Sequence, residues 1–246
     1  MRNDNKIGKL YGVGIGPGDP KLITLRAKEI LDSVDTIFVR KGKEESGSCA
    51  RSIIEAVIPV RKSVVELVFP MTKDKSILKA HWQKAARRIA GEIKSGKRAA
   101  FVTIGDPFIY STYIYLLKAI TEEFPQAEVE TIPGITSFNA AASYVGMPLV
   151  ERNEKLAVLA VTNDLAGVKE AIEEFDTVVL MKVGAKLEKL VGLLNKRKRA
   201  KDAVLATRVG YPDGKIIKDI STLKDKKLGY LSVIIVKRAN AKCFNL

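Results

Sequence analysis

The chain has 246 residues, room for one large or two modest α/β domains, and its 46% hydrophobic and 28% charged residues exclude a disordered or fibrous protein. No apolar run reaches the ~18–20 residues of a spanning helix, and two cysteines, Cys49 and Cys243, with one histidine, His81, cannot build an ordinary zinc site. Forty-two basic against 28 acidic residues leave a formal charge of +14, which reads either as a solvated surface or as a field that attracts polyanions.

The opening Met1-Arg2-Asn3-Asp4-Asn5-Lys6 is polar and has no apolar signal core, so the expected compartment is the cytoplasm, with no membrane partner. Short β-rich runs then alternate with amphipathic stretches, the pattern of an α/β fold with largely parallel strands. The first strand reads over residues 9–14, and after a Gly/Pro-rich turn the spacing predicts a helix over 24–34, with Leu25, Ile30 and Leu31 available to its buried face. Strands follow at 36–39 and 64–69. Over 74–95, Ile77, Leu78, Trp82, Ala85, Ala86, Ile89, Ala90 and Ile93 recur at helical spacing, and Gly96 supplies the stop. A strand at 99–103, a helix at 112–124 and a strand at 128–132 lead into Pro133-Gly134 and a helix at 137–145. Further strands are predicted at 156–161, 177–181, 203–207, 215–219 and 231–236, and the short links between the last three imply antiparallel pairing. Two α/β domains are expected, 1–126 and 127–246, with the boundary between about Phe124 and Pro133.

Three strand ends share one design, an apolar strand followed by a rigid, glycine- and proline-bearing turn. They are Gly14-Ile15-Gly16-Pro17-Gly18-Asp19-Pro20, Ile104-Gly105-Asp106-Pro107-Phe108-Ile109-Tyr110-Ser111-Thr112 and Ile132-Pro133-Gly134-Ile135-Thr136-Ser137. Open parallel sheets bind ligands at such strand ends, where glycine lets backbone approach a ligand and proline fixes the turn. A dinucleotide fingerprint is not met, because GxGxxG would need glycine at Pro17 or at Asp19, and no GxxxxGK[ST] phosphate loop occurs. After the second strand, Arg40 and Lys41 replace the acid that would hold a ribose hydroxyl, which leaves a 2′-phosphate as the only nicotinamide option.

These turns, with Leu22-Ile23-Thr24-Leu25-Arg26-Ala27, resemble in order and separation the three signatures of the tetrapyrrole (corrin/porphyrin) methylases, and the resemblance covers essentially the whole chain. Within the family it is nearest the branch that methylates precorrin-2 or cobalt-factor II at C20. The stretches that carry this are Phe69-Pro70-Met71-Thr72-Lys73-Asp74, His81-Trp82, Tyr110-Ser111-Thr112, Glu130-Thr131-Ile132-Pro133-Gly134-Ile135-Thr136-Ser137-Phe138, Val179-Leu180-Met181-Lys182-Val183-Gly184 and Tyr230-Leu231-Ser232-Val233-Ile234-Ile235-Val236.

The resemblance implies a two-domain fold with a mostly parallel N-terminal sheet, a mixed C-terminal sheet and an active site in the cleft between them. It further implies a homodimer, S-adenosylmethionine as methyl donor, a tetrapyrrole substrate and a place in cobalamin synthesis. Cofactor contacts carry over onto Pro17, Ile104, Gly105, Asp106, Ile109, Thr136 and Ser137, and onto Met181, Val209 and Leu231. Substrate contacts fall on Gly16, Gly18, Asp19, Arg26 and Arg40, the arginines being suited to the ring's carboxylate arms. Asp106 and Tyr110 are the expected catalytic residues. The carboxylate would accept a ring proton or hold a ring N–H, and the phenol would donate to ring or cofactor.

A structural reading stands beside each of these. Asp106 and Asp19 are also well placed as turn or cap aspartates, and His81 as a packing or surface residue on its helix. Another tetrapyrrole position, ribosomal RNA or a protein side chain are alternative methyl acceptors for this plan, but 7% aromatic residues and no RNA-binding signature argue against a nucleic-acid partner. The basic run Lys196-Arg197-Lys198-Arg199 with Lys201, and the turn Tyr211-Pro212-Asp213-Gly214, match no role.

Overall fold

The computed structural model describes residues 7–41, 49–58, 62–70, 72, 74–161, 164–221, 223 and 231–238; Met71, Lys73, Tyr230 and Cys243 lie outside them. The chain divides into two compact units, Met1–Thr136 and Ser137–Leu246.

The first unit alternates strand and helix: β1 (Lys9–Gly14), α1 (Leu25–Ser33), β2 (Thr36–Lys41), α2 (Cys49–Val57), β3 (Ser63–Val68), α3 (Lys75–Lys94), β4 (Ala99–Thr103), α4 (Tyr113–Glu123) and β5 (Glu128–Ile132). Local chemistry sets the helix ends. The Thr24 hydroxyl accepts from the Ala27 N–H to open α1, Asp74 accepts from the Ser76 and Ile77 N–H groups to open α3, and Gly96 at φ +80° closes it. The five strands are parallel in the order β3-β2-β4-β1-β5. Helices α3 and α4 bury Ala86, Ile89, Ile93, Leu116 and Ile120 against Leu10, Phe38 and Phe101 on one face. Alternation turns Val13, Ile37, Val39, Ala100 and Val102, all buried, to the other face, where α1 and α2 contact β1 and β2. This winding puts every strand-to-helix turn on one edge of the sheet.

The second unit comprises α5 (Ser137–Val145), β6 (Leu156–Ala160), α6 (Ala166–Glu174), β7 (Thr177–Met181), α7 (Leu187–Lys196), β8 (Ala203–Thr207), β9 (Lys215–Ile217) and β10 (Ser232–Lys237). Its sheet, ordered β6-β7-β10-β8-β9, is mixed. Only β6 and β7 run parallel; β8 pairs antiparallel with β9 and with β10, as the short links in the sequence imply, and β10 lies antiparallel between β7 and β8. One face packs on α5 through Phe138, Ala141 and Val145, the other on α6 and α7 through Val168, Ile172, Leu190 and Leu194.

Three expectations need revision. Leu25 is 85% exposed, because it precedes the buried Ala27 by two residues and so sits roughly 200° around the helix from it. Ile77 is also exposed, and the buried stripe of α3 starts at Ala85. Residues 128–132, placed in the second domain by the sequence reading, form β5 and pair with β1 from Lys9↔Glu128 to Val13↔Ile132. Helices α2, α6 and α7 complete the alternation without having been read individually.

One buried charge gives the first unit a pH signature. Glu92, 7% exposed on the last turns of α3, pairs with Lys97 at 2.8 Å and Arg88 at 2.9 Å. The Lys97 ammonium above all, with Arg88, holds its carboxyl below the usual carboxylate value of 4.5, against the opposing effect of burial. A carboxyl lowered in the folded state adds stability that is fully present above its unfolded value and is lost as pH falls through the folded one. Thermal unfolding from pH 7 to pH 3 should therefore show Glu92→Gln less stable than the parent at neutral pH, with the gap closing below about pH 4.5. A gap of constant size would contradict the pairing.

Candidate active site

β4, β1 and β5 are adjacent in the first sheet, so the three rigid turns of the sequence lie side by side on its C-terminal edge. They meet backbone to backbone. A Cβ on Gly14 would lie 2.6 Å from the Gly105 carbonyl oxygen and 2.7 Å from the Gly134 nitrogen, and one on Gly134 would lie 2.2 Å from the same oxygen. Real Cβ atoms do not approach other atoms so closely, so only glycine fits. Hydrogen bonds lace the first two turns together: the Ile15 N–H donates to the Thr103 carbonyl (3.0 Å) and the Gly105 N–H to the Gly16 carbonyl (2.7 Å).

Asp106 binds the second turn to the third. Its Oδ1 accepts from the Phe108 N–H at 2.9 Å, an Asx turn, and its Oδ2 accepts from the Gly134 N–H at 3.1 Å. The far end of this turn is fixed by Ser111, whose hydroxyl lies 2.9 Å from Thr103 Oγ1 and accepts from the Tyr113 N–H. Between these anchors Phe108, Ile109 and Tyr110 are exposed, and Tyr110 has φ +50°, a left-handed conformation that costs a non-glycine residue ~1–2 kcal/mol. Gly105 has φ +73° and is buried, yet a Cβ there would meet nothing within 4 Å. The α-carbon of Gly105 thus faces open space.

The other first-unit residues divide. Gly16, Pro17 and Gly18 are buried within the first turn, and Ile104 and Thr136 are half-buried. Asp19 caps the short 3-10 turn Pro20–Leu22 by accepting from the Lys21 N–H at 2.8 Å. Arg26 lies across β5, paired with Glu130 at 3.2 Å and Glu29 at 3.4 Å. Lys9 and Arg26 together hold the Glu130 carboxyl below the usual range. Arg40 stands near the end of β2, opposite Leu67 of β3, on the same sheet edge as the three turns. His81 is half-buried on α3 with its Nδ1 3.2 Å from the Val68 carbonyl, a packing position.

In the second unit, Met181 ends β7, Val209 follows β8 and Leu231 precedes β10. The registers Val233↔Met181 and Ser232↔Thr207 bring all three to one edge of that sheet, with Ser137 opening α5. The turn that matched no role in the sequence braces this edge. Arg208 pairs with Asp213 at 2.6 Å and lies over the Tyr211 ring at 4.5 Å, while its N–H donates to the Leu231 carbonyl at 2.7 Å. Val209 thus lies in the turn closed by the Tyr211 N–H donating to the Arg208 carbonyl at 3.0 Å. No periodicity announces this brace; the glycine in Tyr211-Pro212-Asp213-Gly214 is its only sequence signal. In the basic run, Arg197 pairs with Glu173 and Arg199 with Asp202.

Comparison with known proteins gives consistent matches. The family model described as Tetrapyrrole (Corrin/Porphyrin) Methylases matches residues 9–225. A probable cobalt-precorrin-2 C(20)-methyltransferase of Methanocaldococcus jannaschii is 40% identical over 94% of this chain and 97% of its own. The cobalt-precorrin-2 C(20)-methyltransferase of Salmonella typhimurium is 33% identical over 94% and 97% of the two chains. Among solved structures, a cobalt precorrin-4 methyltransferase superposes with a TM-score of 0.74 at 20% identity, over 93% of this chain and 94% of that one. A uroporphyrin-III C-methyltransferase of Thermus thermophilus with bound S-adenosyl homocysteine superposes with a TM-score of 0.67 at 18% identity, over 94% and 92%. At those identities the structures speak for the fold.

The packing of the three turns is testable by substitution. Gly134→Ala drives a methyl into backbone that cannot retreat, and should cost roughly 3 kcal/mol in urea unfolding. Gly105→Ala meets open space, and should lose only the ~1–2 kcal/mol of its left-handed backbone. The reverse order would contradict the close contact.

Proposed function

The chain belongs to the tetrapyrrole (corrin/porphyrin) methylases, and from that premise we propose that it methylates C20 of precorrin-2 or of its cobalt-bound form, with S-adenosylmethionine as donor, in cobalamin synthesis. The supporting observation is the open space at the Gly105 α-carbon, set among three tied turns, in a chain aligned almost end to end with C20-methyltransferases. Relatives at 40% and 33% identity carry cobalt-precorrin-2 in their names and one at 30% carries precorrin-2, which favours the cobalt-bound ring.

The residues of the first unit suit the donor. A buried glycine with free space at its α-carbon allows a ligand to lie directly on the main chain, as an adenosyl or methionyl portion requires. Pro17, Ile104, Gly105, Ile109 and Thr136 are the positions that would hold it. Bound S-adenosylmethionine supplies an electrophilic methyl group on a sulfonium. The chain's own work is alignment: transfer to carbon demands an in-line approach, and holding the partners in that geometry is worth ~7–11 kcal/mol in favourable cases. The anchored ends of the second turn hold the main chain of Ile109 and Tyr110 in register with Gly105. Arg40, on the same sheet edge, is the cation we assign to a substrate carboxylate. Arg26 already answers Glu130 and Glu29, so it serves the ring only by exchanging partners. The net charge of +14 favours the encounter with a polycarboxylate ring. The reading also takes the protein as a homodimer in the cytoplasm, without nucleic-acid or membrane partners. Among the described residues no helix is long and apolar enough to cross a membrane.

Anaerobic incubation with labelled S-adenosylmethionine and either ring, followed by mass and NMR analysis, tests this. One added methyl at C20, faster on the cobalt-bound ring, is expected. Label at another ring position, or in RNA or protein instead, would overturn the substrate.

A further inference from the structure

Asp106 has the residue type of a general base and the hydrogen bonds of a tie. One carboxylate oxygen accepts from the Phe108 N–H two residues on, and the other from the Gly134 N–H across the gap between neighbouring turns. Neither oxygen depends on a ligand for its partner. The segment it closes is the one that has most need of closing. Gly105, immediately before it, is left-handed with open space at its α-carbon, and Tyr110, four residues later, is left-handed without being glycine. Backbone held in sparsely populated regions persists only where its surroundings over-determine it. Ser111 secures one end of the loop through Thr103 and Tyr113, and the Asp106 carboxylate is the side chain that secures the other. The Gly134 nitrogen that donates to Asp106 belongs to the same glycine whose α-carbon leaves no room for a Cβ against the Gly105 carbonyl. One bond and one contact therefore set the distance between the second and third turns.

Resting on the function proposed above, we infer that Asp106 is a positioning residue and not the proton acceptor: its carboxylate ties the second turn to the third and so shapes the main chain at Gly105 against which the methyl donor lies. Donor binding then depends on Asp106 more than the chemical step does. Asparagine is the informative replacement, since its single amide oxygen can accept from Phe108 or from Gly134 but not from both. Alanine removes both bonds.

The test measures S-adenosylhomocysteine affinity by calorimetry, the thermal midpoint, and the pH profile of turnover, for the parent protein, Asp106→Asn and Asp106→Ala. Expected is a graded loss of affinity, several-fold for asparagine and more than tenfold for alanine. KM for S-adenosylmethionine should rise in step. Turnover at saturating donor should fall by a smaller factor than KM rises, with an unchanged pH profile in both variants. A merely structural role would lower the midpoint without this split between KM and turnover. The inference is overturned if both variants bind S-adenosylhomocysteine like the parent and lose turnover a hundredfold, or if a limb of the pH profile disappears, because a proton acceptor behaves in that way. It is also overturned if alanine leaves affinity and KM unchanged. Failure of the parent to methylate either ring, with S-adenosylhomocysteine still bound, would count against the substrate alone, and the binding constants would still decide the role of Asp106.

Discussion

Three stretches of main chain meet at Gly14, Gly105 and Gly134 with no room for a single Cβ atom between them. This contact is possible because β1 lies between β4 and β5 in a wholly parallel sheet, so their C-terminal ends open onto one edge at one level. Three turns packed so closely cannot move independently. The backbone bonds Ile15–Thr103 and Gly105–Gly16, with the carboxylate bond from Asp106 to Gly134, convert the contact into a fixed floor. Everything assigned to the first unit in the way of chemistry rests on that floor, from the open side of Gly105 to the exposed Phe108, Ile109 and Tyr110 carried above it.

Rigidity here has a chemical purpose. Alkylation of carbon by a sulfonium needs no metal or covalent intermediate from the protein; it needs two ligands brought together in line and kept there. A site made of main chain and glycine suits this task, because backbone loses little freedom on binding when it is already tied at both ends. Charge is handled apart from alignment. Near the sheet edge Arg26 is answered by Glu130 and Lys41 by Glu66, and the net charge of +14 acts as a general field.

What the sequence disclosed and what it withheld follow from range. Glycine and proline punctuate locally, so all three turns, and strands such as 99–103 and 128–132, were legible residue by residue. The antiparallel character of the second sheet followed from short links. The Asp106–Gly134 bond spans 28 positions and the Arg26–Glu130 pair 104, and no local pattern announces either. The sequence could thus offer Asp106 as base or turn residue without seeing what its second oxygen touches. Leu25 misled because apolar character predicts burial only when the helical phase agrees. The assembly of Met181, Val209 and Leu231 on one edge depended on β10 inserting between β7 and β8, a matter of topology and not of composition.

The most direct test of the central claim is amide hydrogen exchange with and without saturating S-adenosylhomocysteine. If the three tied turns form the donor's floor, peptides covering residues 14–18, 104–112 and 133–137 should slow together on binding, while α2 and the outer face of α3 remain unchanged. Protection of one turn without the others, or protection confined to regions away from the C-terminal edge of the first sheet, would contradict it.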